Sequence, residues 1–187
     1  MGHRFNPENA SKLMNPKRME LIPPNTVTEL LELNSSDEVS DLGAGNGYFT
    51  IPLAKSTQQT VYAIDIEPKM LDLLKENAIK ENITNITYLH GSLEEIPLED
   101  ESVDKILIAF VMHEIPNITK AVSELKRIMK SYSKILVLEW DTVQSEMGPP
   151  LNHRIGANEL KLYFEQCGLQ VKVEQVNEQI YGLLMSK

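Results

Sequence analysis

Apolar positions follow two alternating rhythms along this chain. Short runs rich in β-branched and aromatic residues give way to stretches where apolar residues return every third or fourth position. "EVSDLG", "TVYAID", "NITYLHG", "SVDKILIAFVM", "KILVLEW", "QVKVEQV" and "QIYGLLMSK" read as strands. "SVDKILIAFVM" and "KILVLEW" are nearly continuous in apolar residues, as strands covered on both faces are. Between them fall helices. "NTVTELLELN" carries Val27, Leu30, Leu31 and Leu33 behind a capping Asn25, and "YFTIPLAKS" tolerates Pro52 near its first turn. "PKMLDLLKENAIKEN" starts on Pro68 and has the stripe Met70, Leu71, Leu74, Ala78, Ile79. "NITKAVSELKRIMK" is capped by Asn117 and buries Ile118, Ala121, Val122, Leu125, Ile128 and Met129, and "GANELKLYFEQCG" stops at Gly168.

Strand–helix alternation predicts an α/β fold: a Rossmann-like, doubly wound, mostly parallel seven-stranded sheet with helices on both faces. The last two strands leave little room for a crossover, so they pair antiparallel and make the C-terminal strand antiparallel. Residues 1–24 are polar and broken by Pro7, Pro16, Pro23 and Pro24. They read as an irregular arm with a helical turn near Ala10–Met14, placed to act as a lid. Residues 25–187 read as one domain.

Composition narrows the function classes. Eighteen basic against 27 acidic residues give a formal charge of -9 over 187 residues, with no basic field to gather nucleic acid. A single cysteine, Cys167, excludes an internal disulfide and reads as a core position. No apolar run approaches the roughly 18 residues of a membrane span, and the N-terminus lacks an apolar signal-like stretch. The expectation is a cytoplasmic protein without stable membrane insertion. The four histidines show no metal-ligand spacing, so no metal is expected. The pattern carries no signal for an oligomeric state.

Three of the nine glycines fall within five residues of "DLGAGNGYFT". Gly43 turns the chain out of the first strand, while Gly45 and Gly47 remove side chains that would hold a ligand off the backbone. "VYAID" ends the next strand at Asp65, where a carboxylate can accept both hydroxyls of a ribose. A dinucleotide site wants Gly-x-Gly-x-x-Gly against a pyrophosphate. Here the series is Gly-x-Gly-x-Gly, preceded by Asp41, which would repel a pyrophosphate and favour a cationic, amino-acid-like tail. The ligand outlined is an adenosine with a positive charge.

With those residues in view, "VSDLGAGNGYFTIPLA", "VYAIDIEPKMLDLL", "GSLEEIPLEDESVDKILIAFVMHEI" and "AVSELKRIMKSYSKILVLEW" resemble the successive motifs of class I S-adenosylmethionine-dependent methyltransferases. The resemblance covers roughly residues 36–187 and is nearest the small-molecule branch that includes the ubiquinone/menaquinone C-methyltransferases. It implies S-adenosylmethionine as cofactor. By the same resemblance, Gly43, Ala44 and Gly45 meet the methionine portion and Asp41 holds the loop or, through water, the amino group. Asp65 takes the ribose, and Ile66 and Met70 flank the adenine. Where the family often has Gly-Asp-Ala, this chain has "HGSLEE". Ser92 and the Leu93 backbone then face the adenine edge, a weaker arrangement than a carboxylate.

"AFVMHE" ends the fourth strand. The resemblance sets the Ala109 and Phe110 carbonyls toward the methyl group and His113 at the mouth, as a candidate base or simply a packed histidine. The segment with Trp140, Asp141, His153 and Arg154, and an arm carrying Phe5, Met14 and Arg18, would cover the acceptor. The reaction implied is direct displacement onto a small organic acceptor. The Asn/Asp-Pro-Pro-aromatic signature of nucleic-acid amino methylation is missing, and arsenite methylation needs more cysteines than one. A nicotinamide-dependent oxidoreductase and a non-catalytic adenosine-ligand-binding module are the alternatives.

Overall fold

The computed structural model describes residues 16–186. The helical turn expected near Ala10–Met14, and Phe5 and Met14 with it, lie outside the described residues.

Seven strands form one sheet in the order β3-β2-β1-β4-β5-β7-β6. They are β1 Val39–Leu42, β2 Val61–Asp65, β3 Ile86–His90, β4 Val103–Ala109, β5 Met129–Trp140, β6 Gln170–Gln175 and β7 Ile180–Ser186. The pairs β1–β2, β2–β3, β1–β4 and β4–β5 are parallel, while β7 runs antiparallel between β5 and β6. Among the described residues six α-helices accompany them: α1 Pro16–Leu21, α2 Asn25–Leu30, α3 Thr50–Ser56, α4 Pro68–Lys80, α5 Ile118–Ile128 and α6 Ala157–Gln166.

The apolar runs in β4 and β5 serve both faces because successive side chains point to opposite sides. Ile106, Ile108, Ile135 and Val137 pack into the core with Val122 and Leu125 of α5 and Leu160 and Phe164 of α6. Leu107, Leu136 and Leu138 go the other way, to Val27 of α2 and Leu53 and Ala54 of α3. The chain moves outward from β1 through β2 to β3, then returns to place β4 on β1's other edge. That reversal opens a crevice at the carboxyl ends of β1 and β4, where ligands bind in sheets of this kind. Register sets the rim: Leu42 pairs with Ile64 and Ile108, Asp65 with His90, and Ala109 with Leu138.

Several local expectations are corrected. The stretch read as irregular contains α1, and Ile22 just after it is fully buried. The Tyr48 hydroxyl donates to the Ile22 carbonyl at 2.8 Å, so burial and a long-range bond hold the segment where local pattern showed only prolines. Asn25 is the first helical residue, not the cap; Pro24 takes that position without a side-chain bond. Ile79 is 66% exposed, because α4 buries only a narrow stripe against β2 and β3. Met129 and Lys130 open β5 and do not continue α5. Asn117 does cap α5, accepting from the Lys120 N–H at 3.0 Å. Cys167 is partly buried at the end of α6.

Candidate active site

The glycine loop is built from backbone bonds. The N–H groups of Gly43 and Ala44 both donate to the Ile64 carbonyl, at 2.8 and 3.0 Å, so the loop is clamped to the end of β2. Gly43, Gly45 and Gly47 all have positive φ, at 82°, 55° and 92°. At Gly43 space is a second constraint, since a Cβ would come within 2.3 Å of the Val111 side chain. The loop therefore passes directly against the segment that follows β4. Asn77 of α4 ties it from outside, donating to the Asn46 carbonyl at 3.1 Å.

Asp65 completes this cradle. Its Oδ2 accepts from the Gly45 N–H at 2.8 Å and its Oδ1 from the Glu67 N–H at 2.9 Å. Each carboxylate oxygen keeps a lone pair for a further donor. Burial raises the Asp65 pKa, against the lowering effect of these backbone donors. Asp41 lies deeper, 2% exposed, and accepts from the Thr50 hydroxyl at 2.6 Å. Desolvation pushes its pKa up to about 7, with the Asp65 charge adding to the rise. Asp41 thus joins β1 to the start of α3.

Farther along the rim, the Ile66 side chain is 43% exposed, and its carbonyl is within 3.1 Å of His90 Nε2. Met70 and Leu93 are buried, each 4% exposed. Ser92 is half-buried in a short bridge with Glu95. Ala109 ends β4 half-buried, and the Phe110 N–H donates to Leu138 at 2.8 Å. Phe110 has φ 62°, a conformation that costs a bulky residue roughly 1–2 kcal/mol. Aromatic packing holds it there, with Phe49 at 6.4 Å and Trp140 at 5.4 Å between ring centroids.

His113 follows in a short 3-10 turn, Met112–Glu114. Its Nδ1 lies 3.0 Å from both carboxylate oxygens of Glu139 on β5, and its backbone N–H donates to the same carboxylate at 3.3 Å. Glu139 accepts only, so Nδ1 carries the proton. Glu114 stands 3.8 Å from Nε2. Burial pulls the imidazole pKa down, but the hydrogen bond and charge of Glu139, with Glu114 behind them, outweigh it and the net direction is up. Glu139 was missed at the sequence level. Its signal was an acid inside the apolar run "KILVLEW", a place where a charge is buried only with a partner.

The connection 141–156 is organised by Arg154. The guanidinium donates to the carbonyls of Pro149, Asp141, Val143 and Met147 and to the Ser145 hydroxyl, at 2.8–3.1 Å, while stacking on Trp140 at 5.6 Å. A cavity of about 340 Å³ lies in this connection, between Gln144 and Arg154. Among the described residues no group of three or more His, Cys, Asp or Glu is placed to hold a metal ion, and no helix is long and apolar enough to cross a membrane.

Comparisons with known proteins bear on this geometry. Residues 40–137 match a family model described as a methyltransferase domain. The fold superposes on a SAM-dependent methyltransferase of Aquifex aeolicus with a TM-score of 0.92 and 31% identity, covering 97% of this chain and 98% of that one. The chain belongs to the S-adenosylmethionine-dependent methyltransferases. It is 38% identical over 103 residues to the ubiquinone/menaquinone biosynthesis C-methyltransferase UbiE of Brucella abortus, covering 54% of this chain and 38% of that protein. An uncharacterized methyltransferase-like protein of Schizosaccharomyces pombe is 35% identical over 116 residues, 62% of this chain and 43% of that protein. This methyltransferase therefore spans about two fifths of the length of the curated relatives it matches.

The cradle fits the family's cofactor, S-adenosylmethionine. Glycines leave the backbone bare, and a braced carboxylate stands one strand over.

Proposed function

We propose that this methyltransferase moves the methyl group of S-adenosylmethionine to a small organic acceptor by direct displacement. The observation that carries the reading is the bond from the Gly45 N–H to Asp65, which unites the bare loop and the ribose acid in one cradle at the strand-order reversal. When bound, the cofactor supplies an activated methyl group on a positively charged sulfur.

The chain's own residues bind and orient. Gly43, Ala44 and Gly45 offer backbone to the methionine portion, and Asp41 keeps the loop anchored beside its cationic end. Asp65 accepts from the ribose. Ile66 and Met70 wall the adenine, and Ser92 and the Leu93 backbone meet its edge. Ala109 faces the methyl group. Displacement from a good leaving group depends mostly on alignment, which can supply up to about 7–11 kcal/mol.

His113 takes a proton from the acceptor at Nε2, where the acceptor keeps one. Glu139 fixes the tautomer and stabilises the imidazolium that forms. Because the pKa is raised, His113 is protonated at rest over a wider range, and activity that needs the base rises with pH through that raised value.

The name of the Brucella relative supports a quinone-like or phenolic acceptor as the first class to try. The acidic balance, -9, supports the absence of a nucleic-acid partner, and with the single cysteine it supports a cytoplasmic setting. The test is transfer of label from methyl-labelled S-adenosylmethionine to a small-molecule extract. Label is expected in an organic product whose isolation names the acceptor class. If label stays on the cofactor across extracts and a quinol and phenol panel, the proposed reaction is wrong.

A further inference from the structure

Three arginines among the described residues are partly or largely withdrawn from solvent. Arg127 and Arg154 each spend their donors on the protein. Arg127 reaches the Leu98 and Ile96 carbonyls, Asp100 and Glu124, and Arg154 reaches five acceptors in the 141–156 connection. Arg18 of α1 does neither. Its Nε is buried with no hydrogen-bond partner. Among the described residues no carboxylate forms an ion pair with it. Its guanidinium lies over three aromatic rings instead: Tyr48 and Phe110 at 5.0 Å, and Phe49 at 6.0 Å. Rings hold a cation and fix its plane, but they offer no acceptor for five N–H groups. Desolvation by burial lowers the Arg18 pKa to about 10.

The position of this cation is informative. Phe110 directly follows Ala109 at the carboxyl end of β4, and Tyr48 and Phe49 directly follow the glycine loop. Phe110 is also the residue held in a strained left-handed conformation, which keeps its ring beneath Arg18. The cage thus belongs to the rim of the same crevice. A withdrawn, unpaired cation is costly unless something supplies the opposite charge. A guanidinium's flat fork matches a carboxylate in two parallel bonds.

We propose that Arg18 is a carboxylate-binding residue of the methyl-transfer crevice, pre-oriented by the Tyr48–Phe49–Phe110 cage. The proposal rests on the reading of the crevice as an S-adenosylmethionine site. The carboxylate has two available sources, the amino-acid end of the cofactor or an acidic acceptor, and one chemistry serves both.

The test compares wild type with Arg18→Met, which keeps the apolar stem on the rings and leaves no donor unpaired, and with Arg18→Lys, which keeps the charge without the fork. Arg18→Met is expected to melt within about 2 °C of wild type, since it loses a cation–ring contact and a desolvated charge together. Calorimetry with S-adenosylhomocysteine and 5′-methylthioadenosine separates the sources. If the cofactor supplies the carboxylate, Arg18→Met loses about 10- to 100-fold affinity for S-adenosylhomocysteine, Arg18→Lys loses less, and 5′-methylthioadenosine binds all three alike. If the acceptor supplies it, S-adenosylhomocysteine binds all three alike. Benzoate then raises the melting point of the S-adenosylhomocysteine-saturated wild type but not of Arg18→Met, with benzyl alcohol inert. Equal behaviour of wild type and Arg18→Met toward all of these makes Arg18 a packing residue and overturns the proposal. A wild type that fails to take up S-adenosylhomocysteine overturns the cofactor reading itself, and this proposal with it.

Discussion

The two flanks of the crevice each carry an arginine against one aromatic cluster, and the two are used in opposite ways. Arg154 stacks on Trp140 and donates five hydrogen bonds to the connection it closes. Arg18 stacks on Phe110, which itself packs on Trp140, and donates none among the described residues. A residue whose donors are all answered by its own chain is part of the scaffold. One with a buried donor left unanswered is prepared for a ligand. The same contrast separates the carboxylates. Glu139 is spent on His113, and Asp41 on Thr50, whereas Asp65 braces the loop and retains acceptor capacity on its open side.

That contrast can be broken by experiment. The largest effect on stability belongs to Arg154→Ala, which takes a donor from four carbonyls and a hydroxyl. It should cost about 3 kcal/mol, seen as a fall in melting temperature of roughly 6–12 °C, against almost none for Arg18→Met. Equal losses for both would erase the distinction.

Asp65→Ala comes next. Removing an acceptor of two backbone N–H groups and, on the proposed reading, of the ribose should weaken S-adenosylhomocysteine binding about 100-fold by calorimetry. A smaller change than that of Arg18→Met would reverse the ranking of the two sides.

Asp41→Asn sharpens the comparison in the other direction, because it should stabilise. Desolvation raises the Asp41 pKa to about 7 when folded, above its unfolded value. The folded state therefore holds a proton that the unfolded state has released between about pH 4 and 7, and wild-type stability falls as pH rises across that window. The variant's advantage should be small near pH 4, grow up to pH 7 and then level off, at about 1–3 kcal/mol. Melting curves at pH 5 and pH 8 check it; an advantage that shrinks with pH contradicts the assignment.

The smallest effect is a shift. Glu139→Gln weakens the main influence that raises the His113 pKa, so the rising limb of any base-dependent activity should move to lower pH while its plateau drops. An unmoved limb would leave His113 a packed histidine.

The strand–helix alternation, the glycine loop and the acid at the end of the second strand could be read directly because they rest on local rules. Alternating periods define strands and helices, positive φ calls for glycine, and an acid at the end of the second strand is a spacing. The pairings were not local. Glu139 meets His113 across 26 residues, and Arg18 meets Phe110 across about half the length of the chain. Neither leaves a periodic trace. Phe110 illustrates the limit well. Its left-handed backbone breaks the propensity rule that made the glycines legible, and only the packing of Phe49 and Trp140 makes it tolerable. The helix Pro16–Leu21 was hidden for a similar reason, since its six residues are too few to be stable alone and the buried Ile22 that anchors the segment lies just past its end.

The most direct test titrates wild-type protein with S-adenosylhomocysteine and, separately, with NAD. The account predicts heat and a raised melting point for the first and neither for the second. Saturable binding of NAD with no response to S-adenosylhomocysteine would contradict it.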